Sequence, residues 1–309
     1  MTHILVTGGA GFIGSHIVEQ ALRRGDVVRV LDNFSTGRSE NLDRLHGDLE
    51  VLEGDLRDPM MVKDAVQGIE LVFHQAAFIS VPLSMQDPEG CFAVNVAGTM
   101  GLLEAARQAG VRKVVLASSS AVYGETDVFP TTEETPLAPL SPYAVSKQVA
   151  ELYARLYTRT FGLPVVGLRY YNVYGPRQRP DSAYAAAIPI FLRLLVDGQP
   201  LTVYGDGKQT RDFVFVGDVA RANLLAADCE AAPGEVFNIC TGTEITVLDL
   251  LEQLSELSPG GPQVRFAPPR PGDIYRSVGS PDKAGRLLGF HAATPLAGGL
   301  KQTIDWMRA

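Results

Sequence analysis

The chain has 309 residues, 46% hydrophobic and 20% charged, enough for one large or two modest domains that bury a sizeable core. A formal net charge of −8 with no block of Lys or Arg excludes the basic face a nucleic-acid backbone requires; a local Arg cluster for a phosphorylated ligand stays open. Three cysteines far apart and five scattered histidines offer neither a disulfide framework nor a metal-ligand spacing. The chain starts on a strand-like run, His3-Ile4-Leu5-Val6, without the charged and apolar regions of a leader. Its most apolar later run, residues 183–196, contains Pro189 and Arg193 and is too short to span a bilayer. The expectation is a cytoplasmic protein with free thiols and no membrane contact.

A strand is predicted over residues 4–7 and a helix over 13–24. The turn between them reads Thr7-Gly8-Gly9-Ala10-Gly11-Phe12-Ile13-Gly14, with Gly8, Gly11 and Gly14 spaced G-x-x-G-x-x-G. Glycines there allow a tight turn and let backbone N–H groups, those of Phe12 and Ile13 among them, approach a pyrophosphate at the positive end of the helix. The next strand, 27–31, runs into Asp32, 18 residues after Gly14. A carboxylate there accepts bonds from the adenosine ribose hydroxyls and repels a 2′-phosphate, which favours NAD over NADP. Asn33, Ser35, Thr36 and Gly37 would line the same ribose edge. Strand 49–53 leads to Asp55-Leu56, where the adenine ring would lie. Helix 59–66 follows, with Asp58 as N-cap and Pro59 at its first position. Strand 71–74 ends in Gln75-Ala76-Ala77, whose small residues would let the cofactor pass closely.

A helix is predicted over 89–109 and a strand over 113–118, the latter running into Ser118-Ser119-Ser120. Helix 141–160 opens on Ser141-Pro142 and carries Tyr143 and Lys147 at i, i+4, one turn apart on one face. An unperturbed phenol of pKa ~10 is almost un-ionised at pH 7, and lowering it by about three units needs ~4 kcal/mol. Lys147, the helix N-terminus and a nicotinium charge would together supply that, giving a base for a substrate hydroxyl. A hydroxyl of the serine run would bond the substrate oxygen beside Tyr143. After strand 165–169 the pattern loosens into Gly/Pro-punctuated chain, with helices predicted over 187–197, 216–227 and 247–257.

Alternating apolar strands and helices imply an α/β, doubly wound parallel sheet of the Rossmann type with a smaller mixed C-terminal substrate domain. The expected division is residues 1–171, with 212–240 returning to the sheet, for the NAD-binding domain. Residues 172–211 and 241–309 would form the substrate domain.

These ordered motifs resemble the extended short-chain dehydrogenase/reductase superfamily, in particular its UDP-sugar 4-epimerases, over essentially the whole chain. The resemblance rests on the glycine motif, Asp32-Asn33, Asp55-Leu56, His74-Gln75-Ala76-Ala77, Asn95, Ser118-Ser119-Ser120, Tyr143-x-x-x-Lys147 and Leu168-Arg169-Tyr170-Tyr171-Asn172. It implies a catalytic set of Ser119 or Ser120 with Tyr143 and Lys147; spacing to Tyr143 favours Ser119. It implies Asn95 on the cofactor side as a structural asparagine, and Tyr171 beside the nicotinamide. Asn172 would contact the diphosphate-sugar, Thr202, Val203 and Tyr204 the uracil, Arg211 and Arg270 the diphosphate, and Asp273 the uridine ribose. Dehydratases and decarboxylases of the group carry an acid after the catalytic Ser/Thr; Ser120 and Ala121 stand there in this chain, which points to epimerisation at C4. Ser277, where epimerases restricted to glucose and galactose hold a Tyr, leaves room for a 2-acetamido group, although Tyr275 two residues earlier could partly refill it. Ser80 is a candidate sugar contact. Residues 89–109 and 141–160 resemble the helices that pair in the family's homodimers, with Leu102, Leu103, Leu152, Leu156 and Tyr157 serving either that interface or the core.

Overall fold

The computed structural model describes residues 1–180, 187–257, 261–269 and 274–308. Strand β1 (His3–Thr7) and helix α1 (Phe12–Arg23) lead to β2 (Val27–Asp32), β3 (Leu49–Glu53), α2 (Pro59–Ala65) and β4 (Leu71–His74). Then come α3 (Val81–Gln86), α4 (Pro88–Phe92), α5 (Thr99–Gln108), β5 (Lys113–Ser119), α6 (Pro142–Thr160) and β6 (Val165–Tyr170). The later chain forms β7 (Asn172–Tyr174), α7 (Ala187–Val196), β8 (Leu201–Tyr204), β9 (Thr210–Arg211), β10 (Phe213–Phe215) and α8 (Val216–Asp228). It closes with β11 (Val236–Ile239), β12 (Ile245–Thr246), α9 (Val247–Glu256), β13 (Val264–Ala267), α10 (Asp282–Leu288) and α11 (Leu296–Arg308).

Seven strands form one parallel sheet in the order β11-β6-β5-β4-β1-β2-β3. The near-continuous apolar runs follow from burial on both faces. Ile4 and Val6 of β1 pack with α1 and α8, while Leu5 between them packs on the other side with α2, α5 and α6. Strand order reverses between β1 and β4, which opens a crevice at their carboxyl ends. A third apolar cluster joins Phe191 and Leu192 of α7, Leu250 and Leu254 of α9, and Leu300 and Ile304 of α11. Beside it lie the two-stranded pairs β10-β7, β12-β9 and β13-β8.

Local chemistry sets the helix starts. Asp58 accepts a bond from Met60 N at 2.9 Å ahead of Pro59, and Ser141 accepts one from Ala144 N at 3.1 Å ahead of Pro142. The helix predicted over 89–109 is interrupted by a π-helical turn, Ala93–Gly98, between α4 and α5. Leu102 and Leu103 are fully buried and Tyr157 nearly so, which makes them core, whereas Leu152 and Leu156 are exposed on α6. Among the described residues no helix is long and apolar enough to cross a membrane.

Candidate active site

A cavity of about 660 Å³ opens at the carboxyl ends of the central strands, at the sheet's reversal point. Its floor is the glycine turn. Gly8 has φ +69°, and a Cβ on it would stand 2.6 Å from Ala76 N, so two backbones meet where no side chain fits. A Cβ on Gly14 would lie 2.1 Å from Gly8 O. Gly11 is the N-cap of α1 and supplies no side-chain acceptor, so the first N–H groups of the helix have no capping partner. Gly11, Phe12, Ile13 and Gly14 all line the cavity. Such a helix end, open and bordered by glycine, fits a dinucleotide pyrophosphate.

At the β2 edge Asp32 lines the cavity and is 8% exposed. Its carboxylate accepts Ala10 N and Phe34 N, each at 2.9 Å, and burial raises its pKa. Asn33, Ser35 and Thr36 line the same end, and Asn33 Nδ2 donates to Asp55 Oδ2 at 2.8 Å. Bonds from Arg57 hold Asp55 well below the usual carboxylate range. Leu56, Gln75, Ala76 and Ala77 complete the wall there. Gly37 does not line the cavity; it is buried behind Asp32, where a Cβ would meet Oδ1 at 2.9 Å, so it supports the carboxylate.

The other end holds Ser119, Tyr143, Lys147 and Tyr171. The Tyr143 phenol is hydrogen-bonded to Ser119, and this bond lowers its pKa while burial raises it. The net shift is upward. The ammonium lies 5.8 Å over the Tyr143 ring, donates instead to Ala117 O at 3.0 Å, and is itself pushed down to about 8 by burial. β5 ends at Ser119, whose Oγ caps Ala121 N at 3.2 Å, and Ser120 opens a 3-10 turn outside the cavity wall. Asn95 does not reach the cavity either. Its amide is used within the π turn's surroundings, accepting Phe78 N at 2.7 Å and donating to Phe78 O at 3.0 Å and Ser146 Oγ at 2.9 Å. It fixes the segment after β4 rather than touching a ligand. His74 bridges Thr7 at 2.7 Å and Thr99 at 2.9 Å, and burial lowers it to about 3, so it is neutral. Tyr171 bonds Thr131 through its hydroxyl.

Ser80 lines the cavity and also caps α3, accepting Leu83 N at 3.1 Å. Gln178, in the run 177–186 that resembles epimerases of N-acetylhexosamines, also lines it. Its Nε2 donates to Val173 O at 3.0 Å, which leaves Oε1 buried, unpartnered and on the cavity wall. Tyr170 also lines the wall, bonded to Asn223 Oδ1 at 3.0 Å. Tyr170 depends on a segment 53 residues away, whereas Gln178 is held by Val173 five residues before it.

Of the nucleotide-side residues, Asn172 sits in β7 outside the cavity wall and donates to Asp212 O at 3.2 Å. Tyr204 lines a second cavity of about 540 Å³ with Asp206, Gln209 and Tyr275. Thr202 lies on the same strand outside that wall, and the Val203 side chain is 1% exposed and packs in the core. Arg211 is in β9 and donates to Thr210 O at 2.8 Å. Arg270 and Asp273 lie outside the described residues. Tyr275 donates to Asp206 Oδ2 at 3.2 Å and faces the second cavity, whereas Gly279 packs against Tyr171 of the first. Ser277 lies on the segment between them and lines neither cavity wall.

A parallel sheet with this crevice and an uncapped, glycine-bordered helix at its mouth is the fold of a dinucleotide-dependent enzyme. The chain belongs to the NAD dependent epimerase/dehydratase family, whose model matches residues 4–240, and NAD is its cofactor. It is similar to the UDP-glucose 4-epimerase of Thermus thermophilus solved with NAD: 42% identity, TM-score 0.90, 100% of this chain and 99% of that one. It is also similar to the UDP-glucose 4-epimerase of Thermotoga maritima solved with UDP-glucose, at 39% identity and TM-score 0.93 over 99% of each chain. The UDP-N-acetylglucosamine 4-epimerase of Methanobrevibacter ruminantium, in complex with UDP-N-acetylmuramic acid, aligns at 35% identity and TM-score 0.95 over 99% of this chain and 98% of that one. Curated relatives with other activities include a UDP-N-acetyl-alpha-D-glucosaminuronate decarboxylase of Bacillus cytotoxicus, 34% identical over 98% of this chain and 97% of its own. A dTDP-glucose 4,6-dehydratase of Streptomyces niveus is 38% identical over 99% of this chain and 92% of its own.

Proposed function

We propose that this enzyme is a 4-epimerase of UDP-hexoses that accepts N-acetylated sugars, interconverting UDP-GlcNAc with UDP-GalNAc and UDP-glucose with UDP-galactose. The observation that carries the reading is the meeting of Ser119, Tyr143 and Lys147 on one cavity wall, with Ser120 and Ala121, and not an acid, after Ser119. NAD bound on the glycine turn supplies a hydride acceptor and donor for the sugar C4. Tyr143 takes the proton of the C4 hydroxyl, and the ammonium of Lys147 stabilises the phenolate as it forms. Ser119 donates to the C4 oxygen and holds it beside Tyr143. Without a carboxyl group after Ser119 to remove a C6 oxygen, the 4-keto sugar is reduced again; rotation of the ketone before that step inverts C4. The cavity carboxylates Asp32 and Asp55 stand at the opposite end, and Asp87 caps α4 by accepting Gly90 N at 2.8 Å.

On this reading the second cavity, with Tyr204, Asp206 and Gln209, takes the uracil. Asn172, Arg211, Arg270 and Asp273 serve the diphosphate and ribose. Residues 1–171 with 212–240 hold the cofactor, and 172–211 with 241–309 the nucleotide-sugar. Ser277, a small side chain on the segment between the two cavities, supports the N-acetylated substrates, and Tyr275 is bonded to Asp206 at the second cavity. Phe92, Val145, Leu152 and Leu156 are exposed apolar residues of α4 and α6 and would meet a second copy in a homodimer. Incubation of the purified protein with each of the four UDP-sugars, with nuclear magnetic resonance and mass analysis of the products, tests the function. Epimers of unchanged mass are expected; loss of water or carbon dioxide would instead mark the dehydratase or decarboxylase chemistry of its relatives.

A further inference from the structure

Beneath the Ser119–Tyr143 pair lies an ion pair with no ligand to bind in the proposed chemistry. Glu151 of α6 is 3% exposed and Arg169 of β6 is 1% exposed. Arg169 donates to Glu151 through Nε at 2.8 Å and NH2 at 2.7 Å, and through NH1 to Tyr123 OH at 2.8 Å. Taking both charges out of water costs about as much as their attraction returns, so a buried pair of this kind contributes little net stability over an apolar filling. What it does supply is direction. The Glu151 carboxylate has one more partner, Ser118 Oγ, which donates to Oε1 at 2.5 Å.

Ser118 immediately precedes Ser119, and Glu151 lies eight residues after Tyr143 on the same helix, about 12 Å along its axis. The end of β5 is therefore tied to α6 by two side-chain bonds, Ser118 Oγ to Glu151 and Lys147 Nζ to Ala117 O, and Ser119 follows them on the same cavity wall as Tyr143. A single bond between a strand and a helix leaves both sliding and rotation free; two bonds spaced along the helix remove them. Arg169 holds the carboxylate from the neighbouring strand β6, so the lower tie has a fixed anchor.

We infer that Glu151, oriented by Arg169, is a positioning residue that clamps Ser118 and so sets the distance and angle between the Ser119 hydroxyl and the Tyr143 phenol. The inference rests on the proposed roles of Ser119 and Tyr143, and it adds a function for the Arg169 of the Leu168-Arg169-Tyr170-Tyr171-Asn172 run.

Ser118→Ala cuts the clamp and leaves the ion pair intact. With the holoenzyme and a UDP-sugar that it epimerises, kcat is expected to fall about tenfold while KM and NAD content stay unchanged. The Ser119 bond lowers the Tyr143 pKa, so loosening it moves the acidic limb of the kcat–pH profile to higher pH. Ser118→Cys, which keeps the volume and weakens the bond, is expected to shift both readouts less in the same direction, and serves as the test should the alanine variant not fold. Thr303→Val on α11, which removes a buried hydroxyl bond to Gly299 O of 2.7 Å far from the cavity, is the control for stability alone. It is expected to lower the melting temperature without moving the pH limb. Ser118→Ala with unchanged kcat, or with a lowered kcat and an unmoved limb, overturns the inference. Near-normal turnover in Tyr143→Phe would instead overturn the assignment beneath it, so the two failures are distinguishable.

Discussion

Replacing Gly14 with alanine inserts a methyl group into the turn that carries the cofactor. Built on the present backbone, that Cβ would stand 2.1 Å from Gly8 O, 2.8 Å from Gly8 C and 2.9 Å from Gly9 Cα, all backbone atoms that cannot rotate aside. The turn must move, and with it the first N–H groups of α1. Overpacking of this kind costs roughly 1–3 kcal/mol. If that cost falls on the bound geometry, NAD affinity drops roughly 5- to 150-fold. Gly285→Ala in α10 is the contrasting change: its Cβ would make ordinary contacts with His291 Cε1 at 3.4 Å and Phe290 O at 3.5 Å, and the residue does not line the cavity. There the loss of unfolded-state freedom should stabilise the protein by about 0.5–1 kcal/mol. Calorimetric titration of NAD into cofactor-stripped protein, together with denaturant unfolding, separates the two effects. Gly14→Ala binding NAD as tightly as the parent would refute the reasoning, because the turn would then not be set by backbone contact.

Acid should destabilise the protein early. Burial lowers His16 to about 4 and His74 to about 3 from 6.5, so the unfolded chain takes up protons first; their contribution is full above about pH 6.5 and is lost as pH falls through the two lowered values. His16→Gln, which can still donate to Pro176 O, should lose less stability between about pH 7.5 and about pH 5 than the parent in urea unfolding; equal losses would count against it. Ser277→Tyr should depress kcat/KM for UDP-GlcNAc by about 1–3 kcal/mol, roughly 5- to 150-fold, and spare UDP-glucose; equal effects on both sugars in steady-state assays would remove Ser277 as the gate. Leu152→Glu with Leu156→Glu should leave a folded monomer in light scattering, since both side chains are exposed, 57% and 42%, on α6; an unchanged assembly would place the interface elsewhere.

The parallel sheet is legible in the sequence because its strands are buried on both faces and must be apolar throughout: β4, Leu-Val-Phe-His, is buried at all four positions. β11 escapes a reading by pattern although it joins that sheet. It is only four residues long and carries Asn238, a polar side chain that is fully buried because Tyr123 and Thr131 satisfy it. The two- to four-residue strands β7–β10, β12 and β13 are too short for any period to register. The glycine turn and the Tyr143/Lys147 pair are local patterns, and their physical reason lies within a few residues of themselves. The choice among Ser118, Ser119 and Ser120 is different. It is set by where β5 ends and by Glu151, 33 residues away, so spacing alone favours Ser119 without excluding Ser120. The direction of the Tyr143 pKa shift is hidden from the sequence for a related reason. The i, i+4 spacing fixes proximity to Lys147, but burial and the Ala117 carbonyl decide where the ammonium's effect goes.

On the proposed reading C4 would give its hydride to bound NAD and take it back from the reduced cofactor, with Tyr143 moving only the hydroxyl proton. Running the reaction in D2O and examining the product sugar by nuclear magnetic resonance tests it most directly. The account requires an epimer of the UDP-sugar with no solvent deuterium on any carbon. Deuterium at C4 or C5, or a product lighter by water or carbon dioxide, would contradict it.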